Sequence, residues 1–225
     1  MKTIEAGYEI LTPISEGGIK ELQHIEKIGR VCYKSEERIS EDGESAKKFV
    51  DMLIKNGHEA MIEHSSLSIK FTVDRGVSHE LVRHRIASFA QESTRYCNYS
   101  KDKFGGECNF IDLRLGIELD NKCGKMTAGE IGLIMREWML AMEDAEKHYM
   151  SMLELGATPQ IARSVLPNST KTEISITANY REWRNFFKLR VPSTAHPQMV
   201  EVTRPLLAEL KEKLPVIFDD IKAGE

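Results

Sequence analysis

Two short stretches alternate apolar and polar residues in a chain that otherwise repeats at helical spacing, and this limits the folds open to it. Leu67, Ile69, Phe71 and Val73 alternate with Ser68, Lys70 and Thr72, and residues 172–178 alternate again with Ile174 and Ile176 apolar. A period of two gives a strand with one buried face. Ile19, Leu22, Ile25, Ile28 and Val31 instead predict a helix over 17–33. Residues 44–56 predict a second, stopped by Gly57, and 76–86 a third. Thr127 and Glu130 form a capping-box signature before a long helix. That helix runs through Ile131, Ile134, Trp138, Met142, Ala145, Tyr149 and Met152 to Gly156. Thr158-Pro159 opens a further helix that ends before Pro167. Helical spacing returns at 180–190 and 197–222, with Pro205 and Pro215 expected to kink or divide the last segment. Residues 100–126, with Gly105, Gly106, Cys123 and Gly124, read as a loop holding a short strand near 110–113. The expectation is a mixed α/β fold of the α+β type, a central sheet flanked by helices, in a single domain over residues 1–225.

The chain has 225 residues, 41% hydrophobic and 29% charged, which suits a soluble globular protein with a sizeable core. No apolar run approaches the roughly 20 residues of a membrane span. The start, MKTIEAGYEILTP, lacks signal-peptide architecture, so a cytoplasmic location is expected. The formal net charge of −4 argues against a general nucleic-acid binder, so any anion site must be local. Cys32, Cys97, Cys108 and Cys123 form no CxxC pair and read as reduced thiols.

Three groups offer chemistry. Residues 83–96, RHRIASFAQESTRY, crowd Arg83, His84 and Arg85 ahead of Ser88, Gln91, Ser93 and Arg95. Arg forks with backbone N–H groups beyond a helix end would cradle a phosphate, whereas a plain charge run would be a solvated helix face. His58, Glu63, His64, His79 and His84 lie close in sequence but match no standard zinc spacing, so no metal is expected. ANYREWRNFFKLR, residues 178–190, sets Arg181, Arg184, Arg190, Asn179 and Asn185 among Trp183, Phe186 and Phe187. It reads either as a ligand-holding helix or as an amphipathic one with a charged face. Arg163 sits in the apolar run IARSVLP, and burial there would require an anionic partner. There is no GxGxxG after a strand, no GxxxxGK[ST] and no GxSxG, so a non-Rossmann scaffold is expected.

RHRIASFAQESTRY resembles the signature of the flavin-dependent thymidylate synthases, RHRxxSxxxxSxR, at Arg83, His84, Arg85, Ser88, Ser93 and Arg95. HEAMIEH (58–64), ARSVLP (162–167) and NYREWRNFFKLR (179–190) resemble further segments of that family, in the same order. The resemblance implies the family's own α/β fold and reductive methylation of dUMP to dTMP. The carbon donor would be 5,10-methylenetetrahydrofolate and the reductant NADPH acting through FAD. It also implies a homotetramer with active sites at subunit interfaces, and no nucleic-acid or membrane partner.

By residue, Arg83, His84, Arg85, Glu63, Asn179, Arg181 and Asn185 resemble FAD-binding positions, and His58 a histidine close to the flavin ring. Ser93 and Arg95 resemble the grip on the dUMP phosphate, with Gln91, Glu92 and Thr94 lining the same loop. Arg163 resembles an arginine reaching dUMP from a neighbouring subunit, and Arg190 one contacting the uracil ring. Arg190, Ser93 and His58 are the expected catalytic set, with Ser93 read as a dUMP ligand because a nucleophilic serine needs an activating base. Some positions depart from the family. Glu80 stands where many relatives carry Gln for dUMP, Cys32 where Ser is common and Ala60 where a hydroxyl is common, and TAHPQ (194–198) differs in spacing. The competing classes are a nucleic-acid-binding module, a histidine-based metal hydrolase and a non-catalytic flavin or nucleotide carrier.

Overall fold

The computed structural model describes residues 1–121 and 124–222, so Cys123 lies outside the described residues. The chain runs β1 (Lys2–Ile4), β2 (Gly7–Ile10), α1 (Ile19–Val31), α2 (Glu44–Lys55), β3 (Ser66–Asp74), α3 (Arg75–Leu81) and β4 (Ala87–Gln91). It continues through β5 (Asn109–Ile111), α4 (Arg114–Asp120), α5 (Ala128–Glu154), α6 (Pro159–Ala162), β6 (Lys171–Asn179), α7 (Tyr180–Arg190) and α8 (Pro197–Lys213). β1 pairs in parallel with β5, Thr3 opposite Phe110, and a second sheet has the order β2-β3-β6-β4. The fold is mixed α/β. The alternating stretches are its two interior strands, with Leu67, Ile69, Phe71 and Val73 of β3 and Thr172, Ile174, Ile176 and Ala178 of β6 buried.

Three expectations need correction. α3 stops at Leu81 rather than 86, so Arg83, His84 and Arg85 lie beyond the helix and lead into β4. The helical spacing past Leu81 rests on Val82 and Ile86, which are exposed and give a longer helix no core to face. The stretch read as loop holds α4 as well as a short strand. α8 continues through Pro205 and ends ahead of Pro215. Val202, Thr203, Leu206 and Leu207 are buried on both sides of Pro205, and their burial outweighs one lost backbone hydrogen bond.

The described residues gather into two compact units, each drawn from three stretches. One comprises Met1–Gly7, Phe71–Arg83 and Ala90–Ser175. Its core joins Tyr99, Cys108, Phe110, Met142, Tyr149 and Ala162. The capping box at Thr127 and Glu130 starts α5, but within this 27-residue helix only Met142 and Tyr149 are buried. Leu133, Ile134, Met139 and Leu140 face outward.

The other unit comprises Tyr8–Lys70, His84–Phe89 and the chain from Ile176 onward. α1 and α2 pack against each other, each with a buried face (Leu22 and Ile25; Phe49, Val50 and Leu53), and Gly29 permits a close approach, since a Cβ there would run into the Phe49 ring. Edge-on contacts link Trp183, Phe186, Phe187 and Phe218. Arg184, 1% exposed, lies in this core. It donates to Glu59 at 3.1 Å, to both Asp220 oxygens at 2.6 and 2.8 Å, and to the Ile217 carbonyl, so it clamps the segment after α8. Arg184 is therefore a structural cation, not one of the ligand-facing donors of its helix.

Candidate active site

The polar centre of the second unit is built on α7. Asn179 caps this helix by accepting from the Glu182 N–H at 2.8 Å, which brings the Glu182 side chain onto the first turn, 8% exposed. His84, 7% exposed, is held from two sides. Its Nδ1 lies 3.2 Å from Glu182 Oε1, and Arg190 Nε donates to its Nε2 at 3.0 Å. The Phe186 ring meets the imidazole edge-on at 4.9 Å.

A pocket of about 500 Å³ opens beside these residues, within the usual range for small-molecule sites. The amides of Asn179 and Asn185, the cations of Arg181 and Lys188 and the apolar surface of Ile86 line it. So do the carboxylates of Glu59, Glu63 and Glu182. Arg181 donates to Glu63, and this pairing holds its guanidinium firmly charged. Of the expected flavin-binding residues, Glu63, Asn179, Arg181 and Asn185 thus converge on one pocket and His84 joins it through Glu182. Arg83 and Arg85, either side of His84 in the chain, are exposed, and His58 is exposed ahead of the 3-10 helix Glu59–His64; none of the three lines the pocket.

Burial pushes His84 below the usual imidazole value, Arg190 adds to that effect, and Glu182 opposes it. A folded-state value below the ordinary 6.5 means that the unfolded chain takes up this proton first as pH falls. The stabilisation is present above 6.5 and is lost as pH drops through the lower folded value. The melting temperature is therefore expected to fall on acidification below about pH 6.5, and more shallowly in a His84→Asn variant. Equal slopes for the two proteins in thermal unfolding would contradict this assignment.

The expected nucleotide-side residues other than Arg190 lie in the first unit: Gln91 at the end of β4, Glu92 to Arg95 on the turn after it, Glu80 on α3 and Arg163 after α6. Gln91 donates to Ser78 Oγ at 3.0 Å and Thr172 Oγ1 at 3.2 Å. Glu92 turns to Lys171 at 2.9 Å and to the Tyr99 hydroxyl at 3.0 Å, beside a cavity of about 250 Å³. Ser93 Oγ accepts from the Arg95 N–H at 3.3 Å. Thr94, 5% exposed, accepts from Arg163 at 3.1 Å. Arg163 itself is exposed after α6, which corrects the expectation of a buried cation: Ala162 beside it turns into the core, while Ile161 and Val165 are exposed like Arg163. Glu80 is half-buried on α3. Burial holds the Cys97 thiol up and pushes Cys108 to about 12, so neither is a thiolate at neutral pH.

Sequence reasoning missed Glu59, Glu182 and Lys188. The N-x-x-E spacing from Asn179 to Glu182 is a helix-start signal that would have placed Glu182. Nothing local marks it as the partner of a histidine 98 positions away.

Residues 19–216 match the family described as Thymidylate synthase complementing protein. A flavin-dependent thymidylate synthase of Corynebacterium aurimucosum is 31% identical over 212 residues, 92% of this chain and 82% of that protein. Another from Mycobacterium sp. strain JLS is 30% identical over 207 residues, 88% of this chain and 79% of that protein. Among solved structures, the UMP/dUMP methylase PolB of Streptomyces cacaoi, bound with 5-Br dUMP, superposes with a TM-score of 0.78. It covers 97% of this chain and 96% of its own at 22% identity, so the two share a fold. With the signature at residues 83–95 and four of its expected flavin-binding residues around one pocket, this chain belongs to the flavin-dependent thymidylate synthase family.

Proposed function

We propose that the enzyme methylates dUMP to dTMP, taking its carbon from 5,10-methylenetetrahydrofolate and its electrons from NADPH, with FAD held at the α7 pocket. The observation that carries this reading is the convergence of Glu63, Asn179, Arg181 and Asn185 on one pocket beside His84 of the signature. The donor set suits a dinucleotide flavin. Amides and carboxylates can bond ring edges and hydroxyls, Ile86 offers an apolar surface, and exposed Arg83 and Arg85 can meet the pyrophosphate outside a Rossmann scaffold. When bound, FAD supplies the redox chemistry of the reductive methylation.

The chain's own residues bind and orient. Arg95, Ser93 and the Arg163–Thr94 pair form the proposed grip on the dUMP phosphate, with Gln91 fixed by its two hydroxyl partners. Arg190 is the residue proposed to stabilise negative charge developing on a uracil carbonyl, a role that its guanidinium chemistry supports. The partner found for Ser93 Oγ is an amide N–H and not a base, which supports its reading as a ligand. His58 and Glu80 complete the proposed set as flavin-side and dUMP-side residues.

The outward apolar residues of α5 support a homotetramer, whose interfaces would complete the active sites. The interleaving of both units along the sequence supports treating residues 1–225 as one functional domain, and the co-substrates point to the cytoplasm.

The test is dTMP formation followed by mass spectrometry, with FAD, NADPH, methylenetetrahydrofolate and dUMP supplied and an FAD-free apoprotein as control. FAD-dependent dTMP is the expected result. FAD binding and NADPH oxidation without dTMP would retire the reaction, and no FAD binding would retire the pocket assignment. Ser93→Ala is expected to raise KM for dUMP about tenfold, the value of one hydrogen bond to a charged group, with turnover retained. Complete inactivity with unchanged dUMP binding would make Ser93 a nucleophile instead.

A further inference from the structure

From Glu182 in the lining of the α7 pocket, a side-chain relay runs through His84 to Arg190 that the flavin and dUMP assignments leave unexplained. The Arg190 Nε carries a hydrogen and has no lone pair to accept with. Its 3.0 Å contact with His84 Nε2 therefore requires that nitrogen to be unprotonated. A neutral imidazole then carries its proton on Nδ1, the nitrogen that faces Glu182 Oε1 at 3.2 Å. Glu182 is well fixed for this task. Its backbone N–H is bonded to the Asn179 cap, its carboxylate receives Asn185 Nδ2 at 3.3 and 3.4 Å, and its side chain is 9% exposed.

We propose that Glu182 is a positioning residue. It holds His84 in the Nδ1–H tautomer, so that Nε2 accepts from Arg190 Nε and sets the plane of the guanidinium that addresses the pyrimidine nucleotide. The bond at Nε fixes the torsion of the fork, and with it the direction of both terminal nitrogens. The relay deepens the proposed function and rests on it for the identity of the nucleotide, but the tautomer is a property of the protein alone. Protonation of His84 at Nε2 would remove the acceptor and release Arg190. The charged groups acting on the imidazole are Glu182 and Arg190, both on α7, and burial keeps the neutral form in place at neutral pH.

The first measurement is a long-range proton–nitrogen correlation spectrum of the holoenzyme labelled with nitrogen-15 histidine. His84 is expected to carry its proton on Nδ1, and a proton on Nε2 overturns the relay whatever the activity. Glu182→Met removes the acceptor at similar volume and is expected to lower kcat/KM for dUMP about tenfold. Glu182→Gln, which keeps one acceptor oxygen, should recover part of that loss. Removing the carboxylate also removes its support for the imidazolium, so the acid limb of kcat/KM should move to lower pH in Glu182→Met. An unmoved limb would assign Glu182 a packing role only.

The coupling is read in a His84→Gln background, where an amide oxygen near the Nε2 position accepts from Arg190 without help from a tautomer. There Glu182→Met is expected to cost less than about twofold, and a full additive loss overturns the relay. A parent enzyme with the Nδ1 proton but no dTMP formation would retire the dUMP reading and leave the relay standing.

Discussion

An Arg190→Ala enzyme is expected to form dTMP at least about a hundredfold more slowly than the parent at saturating dUMP, with bound FAD little changed. The magnitude is that of losing one preorganised charge aimed at an oxyanion, on the order of a hundred- to a thousandfold. Arg190 ends α7, where the Thr203 hydroxyl bonds its carbonyl at 2.8 Å and His84 bonds its Nε. The backbone at this position therefore survives the substitution while the guanidinium is lost. Arg190→Lys should rescue little, because an ammonium offers a point charge in place of an oriented fork. The check is kcat, KM for dUMP and the flavin-to-protein ratio on the same preparations. FAD loss in proportion to activity would move Arg190 from the nucleotide to the cofactor.

The second large effect falls on stability. Arg184→Ala is expected to cost about 3 kcal/mol, from lost hydrogen bonds to charged groups together with the packing of its buried stem. In a chain of this size that lowers the melting temperature by roughly 6–12 °C. The guanidinium, 1% exposed, serves Glu59, Asp220 and the Ile217 carbonyl together. Its removal takes away the side-chain donor to the Ile217 carbonyl and loosens the segment after α8. Arg184→Met should recover a fraction of the loss by filling the stem's volume without its hydrogen bonds. An unchanged melting temperature for Arg184→Ala would show that the clamp carries no stability. Arg181, three residues earlier and exposed on the pocket side, should give the opposite pattern of near-normal stability with impaired flavin retention.

These two arginines show what the sequence makes legible. Both stand in NYREWRNFFKLR, both read as planar donors and both approach Glu59, yet the partners that make Arg184 a clamp, Ile217 and Asp220, come from a segment more than thirty residues on. β3 and β6 were legible because a buried face imposes a period of two. β4 was not, because its residues are exposed or half-buried and carry no such pattern. The long helix α5 was legible in its start and extent, since a capping box is local chemistry, but its assignment to a core was not. Ile134, one of the positions that carry the helical spacing, is 40% exposed. The site followed the same division. The signature located residues 83–95, whereas the partnership of His84 with Glu182 spans 98 positions and depends on how the chain returns.

The alternation of the two units along the chain bears on how the protein is made. A ribosome delivers residues in order, and the segment Tyr8–Lys70 belongs with residues from Ile176 onward. More than a hundred residues, read from the boundaries of these two stretches, must therefore emerge before this early segment, joined sooner by His84–Phe89, meets the last of its permanent neighbours. Until then α1 and α2 can pair with each other but present an uncovered apolar side, a window in which nascent chains are open to chaperones and to aggregation. Deletions or stalls late in the message should for that reason damage the part of the protein that was translated first.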